Sequence, residues 1–106
     1  MQEMNPQEVQ EHLKNSSTKP LLLDVREPWE YDVCHIEGAQ LVPMNSIPAQ
    51  MSKLDPEQEI IIICHHGVRS RMVGRFLEAA KFSNLINLTG GVAAWAQSVD
   101  SEMATY

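Results

Sequence analysis

The segment with the most chemistry in it is Cys64-His65-His66-Gly67-Val68-Arg69-Ser70-Arg71. A run of β-branched residues, Ile60 to Ile63, leads into the cysteine, and a helical pattern follows the glycine. A thiol at the end of a buried strand, followed by a tight loop that opens into a helix, lies where open α/β sheets bind ligands. Backbone N–H groups of such a loop, together with the helix N-terminus, form an anion site. That field favours thiolate over thiol, and a thiolate held there is a nucleophile. Arg69, Arg71 and Arg75 follow, and no Asp or Glu falls between Cys64 and Leu77. A basic island in an acidic chain points to an anionic substrate steered to one spot. For Cys64 alone the blander reading is the better one, because free cysteine is among the most buried residue types. Strand, cysteine, glycine loop, arginine and helix together reverse that judgement.

His65 and His66 beside Cys64 raise the question of a metal. Adjacent side chains in a tight loop are expected to diverge, and no other Cys or His stands at ligand spacing, so no metal is expected. The two histidines are read as flanking the mouth of the pocket and tuning its charge. His35 is read as a loop hydrogen-bonder, His12 as part of a solvated helix face, and Trp29 and Trp95 as core or lid packing.

Several elements must position the loop. Asn5-Pro6-Gln7-Glu8 reads as a helix start, with Asn5 capping, Pro6 in the first position and Glu8 reaching back. Val9 and Leu13 then share one face. Leu21 to Val25 reads as a buried strand ending near Asp24. Glu27 to Ala39 reads as a loop with room for one helical turn, and Leu41-Val42 as a brief strand. Ile47, Met51 and Leu54 recur at helical spacing up to Asp55-Pro56. Glu59 to Cys64 is the clearest strand, apolar on both faces and hence central. Met72, Val73, Phe76, Leu77 and Ala80 form an apolar stripe on the helix after it. Leu85 to Leu88 reads as the next strand, followed by Gly90-Gly91 and a helix through Trp95. The alternation predicts an α/β fold, a mainly parallel sheet flanked by helices. The ordered core is expected over residues 5–96, with a frayed polar tail over 97–106.

At 106 residues the chain fits one domain. It is 43% hydrophobic and 21% charged, which suits a soluble domain with a modest core. Its net charge of -6 argues against a general affinity for nucleic acid or anionic membrane. No apolar run approaches the ~20 residues of a spanning helix, and the N-terminus has no signal-peptide pattern, so a cytoplasmic location is the expectation. Two cysteines, Cys34 and Cys64, do not make a disulfide framework.

Three blocks in order resemble the rhodanese family. Cys64 to Ser70 resembles its active-site loop, nucleophile first and an Arg-Ser pair leading into the helix. Leu23-Asp24-Val25-Arg26-Glu27, Glu30-Tyr31 and His35-Ile36-Glu37-Gly38-Ala39 resemble its first signature, and Thr89-Gly90-Gly91-Val92-Ala93-Ala94-Trp95 its C-terminal one. The resemblance implies a three-layer rhodanese-like domain and a ping-pong sulfurtransferase without a cofactor. Cys64 would take sulfane sulfur from thiosulfate or from a persulfide donor, small-molecule or protein, and pass it to cyanide or a thiol. His65, His66, Gly67, Val68, Arg69 and Ser70 would bind substrate, with Arg69 holding the donor's sulfonate or ordering the loop. Asp24 and Arg26 would brace the site. Cys34 stands where the family usually has glycine, and it is read as tolerating the local backbone; a resolving thiol for Cys64 is the lesser alternative.

Two other readings compete. Cysteine phosphatases, with arsenate reductases beside them, place arginine six positions after cysteine, where this chain has Ser70. A sulfur-carrier module serving a dedicated partner keeps the cysteine but makes thiosulfate turnover incidental.

Overall fold

The computed structural model describes all residues from Met1 to Tyr106. The elements in chain order are β1 (Gln2–Met4), α1 (Pro6–Asn15), β2 (Leu21–Asp24), α2 (Pro28–Val33), β3 (Gln40–Leu41), α3 (Ile47–Gln50), β4 (Ile60–Ile63), α4 (Val68–Ala79), β5 (Leu85–Leu88) and α5 (Gly91–Ser98). Short 3₁₀ turns over Met44–Ser46 and Met51–Lys53 flank α3, so the region read as one helix is three short pieces. All strands are parallel in the order β1-β5-β4-β2-β3. This is the α/β architecture expected from the alternating pattern.

Each boundary has a local cause. The Asn5 side chain accepts from the Glu8 N–H at 2.8 Å while Glu8 accepts from the Asn5 N–H at 2.9 Å, the reciprocal cap the sequence announces. Glu27 to Ala39 holds more order than a loop, because Pro28 opens the six-residue helix α2. Gln2 to Met4 forms an edge strand on β5 that the sequence reading placed outside the core.

Side-chain alternation in β4 divides the interior into two layers. Ile60, Ile62 and Cys64 face α3 and α4 together with Leu23, Val73 and Leu77. Ile61 and Ile63 face α1 and α5 together with Val9, Ile86 and Trp95. All four isoleucines are buried, each contributing about 1.5–3 kcal/mol relative to exposure. Cys64 continues this alternation, which sends its side chain toward α4. The stripe expected on α4 is split: Val73 and Leu77 enter the core, whereas Met72 and Phe76 stay exposed. No helix is long and apolar enough to cross a membrane.

After β2 the chain moves out to β3, and after β4 it moves the opposite way to β5. The crevice of the sheet therefore opens beyond the carboxyl ends of β2 and β4. Asp24 to Arg26 and the Cys64 loop both begin there.

Candidate active site

Cys64 sits at that crevice, 1% exposed. Its Sγ accepts from the Gly67 N–H at 3.0 Å and lies 3.3 Å from Ser70 Oγ. Gly67 has φ 99°, a left-handed conformation that turns the loop tightly into α4. The loop is clamped from behind by α5. Its Val92 N–H donates to the Cys64 carbonyl at 2.9 Å, and the Ala93 N–H donates to the His65 carbonyl at 3.1 Å. Gly91 makes this approach possible: a Cβ there would overlap the Cys64 and His65 carbonyl oxygens. The Gly90-Gly91 segment thus holds the cysteine loop in shape.

Ser70 is fully buried and donates its hydroxyl hydrogen to Asn87 Oδ1. The Asn87 amide is oriented by donating to Glu3 at 2.8 Å and to the Gly67 carbonyl at 3.2 Å. A hydroxyl carries one hydrogen. While Ser70 gives it to Asn87, Ser70 can only accept from a Cys64 S–H; to donate to a thiolate it must turn away from Asn87. Asn87 was not singled out in the sequence, although an amide inside the apolar run Leu85 to Leu88 is a readable signal. By strand alternation it faces α4, as Leu85 does.

Arg69 does not stand free. Its guanidinium forms a fork on Glu30, at 2.7 and 2.8 Å. Glu30 also accepts from the Glu27 N–H at 2.8 Å and the Tyr106 hydroxyl at 3.0 Å. The Arg69 bonds outweigh burial and draw the Glu30 carboxyl down from 4.5 to about 2. A carboxyl lowered in this way contributes stability that is complete above pH 4.5 and is lost as pH falls toward 2. Glu30→Gln is accordingly expected to flatten the acid limb of a stability-against-pH curve, measured by urea denaturation in that window. An acid limb unchanged by Glu30→Gln would show that the pair contributes nothing.

Arg26 and Asp24 are fully buried. Arg26 Nε donates to Asp24 Oδ1 at 2.9 Å, and Nη2 donates to Asp24 Oδ2 and to the Cys34 carbonyl, both at 2.7 Å. Its Nη1 donates to the Glu30 carbonyl at 3.3 Å and to the Tyr106 hydroxyl at 2.9 Å. Burial opposes the charge, but the Asp24 and Tyr106 bonds prevail and raise the guanidinium above its ordinary value. This pair ties β2 to α2 and to the chain's last residue. Cys34 has φ -162° and ψ 150°, extended backbone that any residue adopts, so the absence of glycine costs nothing there.

The tail is where structure and sequence reading part. Gln97 and Ser98 belong to α5, and the chain then folds back so that the Tyr106 ring stacks on His65, centroids 4.1 Å apart. The histidine rings do not diverge: His65 and His66 stack at 4.0 Å. Burial, and next the neighbouring His66, lower the His65 imidazole below its ordinary value. A cleft of about 290 Å³ beside them is bounded by Cys34, Gln97 and Tyr106. Val68 and His66 point to solvent. His35 bonds the Tyr31 carbonyl at 2.9 Å, and His12, half-buried, meets Glu59 at 2.6 Å. Of the residues singled out, then, Cys64, Gly67 and Ser70 converge, whereas the Arg69 side chain turns to Glu30, which Tyr106 links to the brace formed by Asp24 and Arg26.

The family model for the rhodanese-like domain matches residues 5–98. Over 105 residues the chain is 36% identical to the "Probable adenylyltransferase/sulfurtransferase MoeZ" of Mycobacterium tuberculosis, covering 97% of this chain and 26% of that protein. Over 77 residues it is 35% identical to a sulfurtransferase of Allochromatium vinosum, covering 73% of this chain and 72% of that one. The crystal structure of a rhodanese-like domain protein from Staphylococcus aureus superposes with a TM-score of 0.82 at 32% identity, over 90% of this chain and 91% of the other. The chain thus spans about a quarter of the length of its mycobacterial relative.

Proposed function

Because this chain belongs to the rhodanese-like domain family, we propose that it is a sulfurtransferase carrying sulfur as a persulfide on Cys64. The observation that supports this best is the buried Sγ held by the Gly67 N–H and Ser70 Oγ at the switch point of the sheet.

The Cys64 thiolate attacks the outer sulfur of thiosulfate; the new S–S bond forms as the donor's S–S bond breaks, leaving Cys64-S-S⁻ and sulfite. Cyanide or a thiolate then attacks the outer sulfur and restores the Cys64 thiolate. Both half-reactions conserve charge and need no external oxidant. The Gly67 N–H and the first-turn N–H groups of α4 lie at the end where charge moves between sulfurs. The loop backbone from His65 to Ser70 encloses the donor, while the His66 and Val68 side chains stay outside. Within it Ser70 acts on the cysteine sulfur, and Arg69, engaged by Glu30, orders the loop. Asp24 and Arg26 brace it from β2.

The phosphatase and arsenate reductase readings require an arginine at position 70, which is occupied by the buried Ser70. The decisive experiment pairs two assays on the unaltered protein. Intact mass after thiosulfate treatment should show one added sulfur, while p-nitrophenyl phosphate should remain unhydrolysed. Hydrolysis without a sulfur adduct would overturn this reading. Substituting a protein persulfide for thiosulfate separates a general sulfurtransferase from a carrier with a dedicated partner: a carrier loads far faster from the protein.

A further inference from the structure

The helix that follows the cysteine loop exposes apolar surface that its own fold does not use. Val68, Met72 and Phe76 are 61%, 57% and 44% exposed and, at four-residue spacing, line one face of α4. A groove of about 270 Å³ runs between this face and the 3₁₀–α3 segment, lined by Met44, Ile47, Pro48, Met72, Val73 and Phe76. The stripe starts at the loop itself, since Val68 is only four residues beyond Cys64. Contiguous exposed apolar surface beside a reactive group marks an interaction site.

Charge identifies the occupant. The chain has 14 acidic and 8 basic residues, yet residues 40–54 and 60–77, which carry both walls of the groove, contain no Asp or Glu. They contain Lys53, Arg69, Arg71 and Arg75. Glu30 neutralises Arg69 and Glu3 neutralises Arg71. Lys53 and Arg75 are exposed and form no ion pair. Apolar walls on segments that carry unpaired cations and no carboxylate, in an acidic protein, select an apolar segment with acidic flanks.

We propose that this α4 face docks a protein that exchanges sulfur with Cys64, through a segment whose cysteine is flanked by apolar and acidic residues. The inference rests on the sulfurtransferase reading and names the class of its partner. In the loading direction the Cys64 thiolate attacks the outer sulfur of the partner's R–S–SH. One S–S bond forms, one breaks, and the partner departs as R–S⁻ while the proton stays on the outer sulfur of Cys64-S-SH. The reverse step unloads it.

The probes are synthetic thiol peptides: one with Leu and Glu around a cysteine, one with Lys for Glu, and one with Ser for Leu. Protein preloaded with thiosulfate is mixed with each, and peptide persulfide is followed by mass. The Leu-Glu peptide should be the best acceptor by about tenfold, equivalent to about 1.4 kcal/mol. Met72→Glu and Phe76→Glu should remove that preference while leaving loading by thiosulfate unchanged. Arg75→Glu, at an exposed position that folding does not depend on, should shift the preference to the Lys peptide. Equal rates with all three peptides, after normal loading, would overturn the docking face and leave the sulfurtransferase reading intact. Failure of thiosulfate and peptide persulfides alike to load Cys64 would overturn both. Binding of the protein to phosphatidylglycerol vesicles, lost in Arg75→Glu and with no peptide preference, would assign the face to a membrane instead.

Discussion

Cys64→Ser is expected to leave the protein folded and abolish sulfur transfer. A serine hydroxyl is nearly isosteric with the thiol, can accept from the Gly67 N–H and can meet Ser70 Oγ, so no buried group is stranded. The cost in stability should stay within about 1–2 kcal/mol, the ordinary range for a single substitution. A hydroxyl is a far weaker nucleophile than a thiolate at neutral pH, and the loop supplies no adjacent general base: His65 stacks between His66 and Tyr106. Intact mass after thiosulfate should show no added sulfur, and thiocyanate formation should fall to the uncatalysed background. Cys34→Ser is the control and should keep both signals, because Cys34 lies in the other core layer, near Arg26. Persistence of the adduct in Cys64→Ser, or its loss in Cys34→Ser, would move the chemistry to the other thiol.

The largest stability effect should come from Arg26→Ala. This guanidinium satisfies Asp24, two backbone carbonyls and Tyr106 from a position with no solvent access. Removing it strands a buried carboxylate and leaves the Cys34 carbonyl without this donor. Breaking a buried pair on one side costs on the order of 3–5 kcal/mol, a large part of the total for a domain of this size. Urea denaturation should show a midpoint lowered accordingly. Arg26→Lys should rescue little, since an ammonium cannot reproduce the planar fork. Replacing both partners, Asp24→Leu with Arg26→Met, should recover most of the loss, because no charge is then left unpaired. A loss below about 1 kcal/mol for Arg26→Ala would show that the pair does not brace the site.

Much of this was readable in advance because it depends on short stretches of chain. Four consecutive isoleucines are apolar on both faces, which only a central strand tolerates, and the residue that ends such a strand sits at the sheet's carboxyl edge. Asn5-Pro6-Gln7-Glu8 carries its own cap, and Gly67 carries its own turn. Identity of side chain and spacing along the backbone were enough for these features, including the position of Cys64. The partners of the site were not legible, because they lie far apart in sequence. Glu30 meets Arg69 across 39 positions, and Tyr106 meets Arg26 across 80. Nothing local in a polar tail distinguishes a fraying end from one anchored by an aromatic ring. Nor could the α4 pattern show that Met72 and Phe76 would stay outside while Val73 and Leu77 went in. A helical stripe announces an apolar face, but the width of that face which becomes covered depends on the elements packed against it. Periodicity and local turn chemistry along the chain were enough for the alternating α/β pattern, its central strand and the cysteine at that strand's end, but not for the edge strand β1. Which charges pair, what covers the loop and which apolar surface remains open were decided only in three dimensions, because each is a property of segments that meet only after the chain has folded.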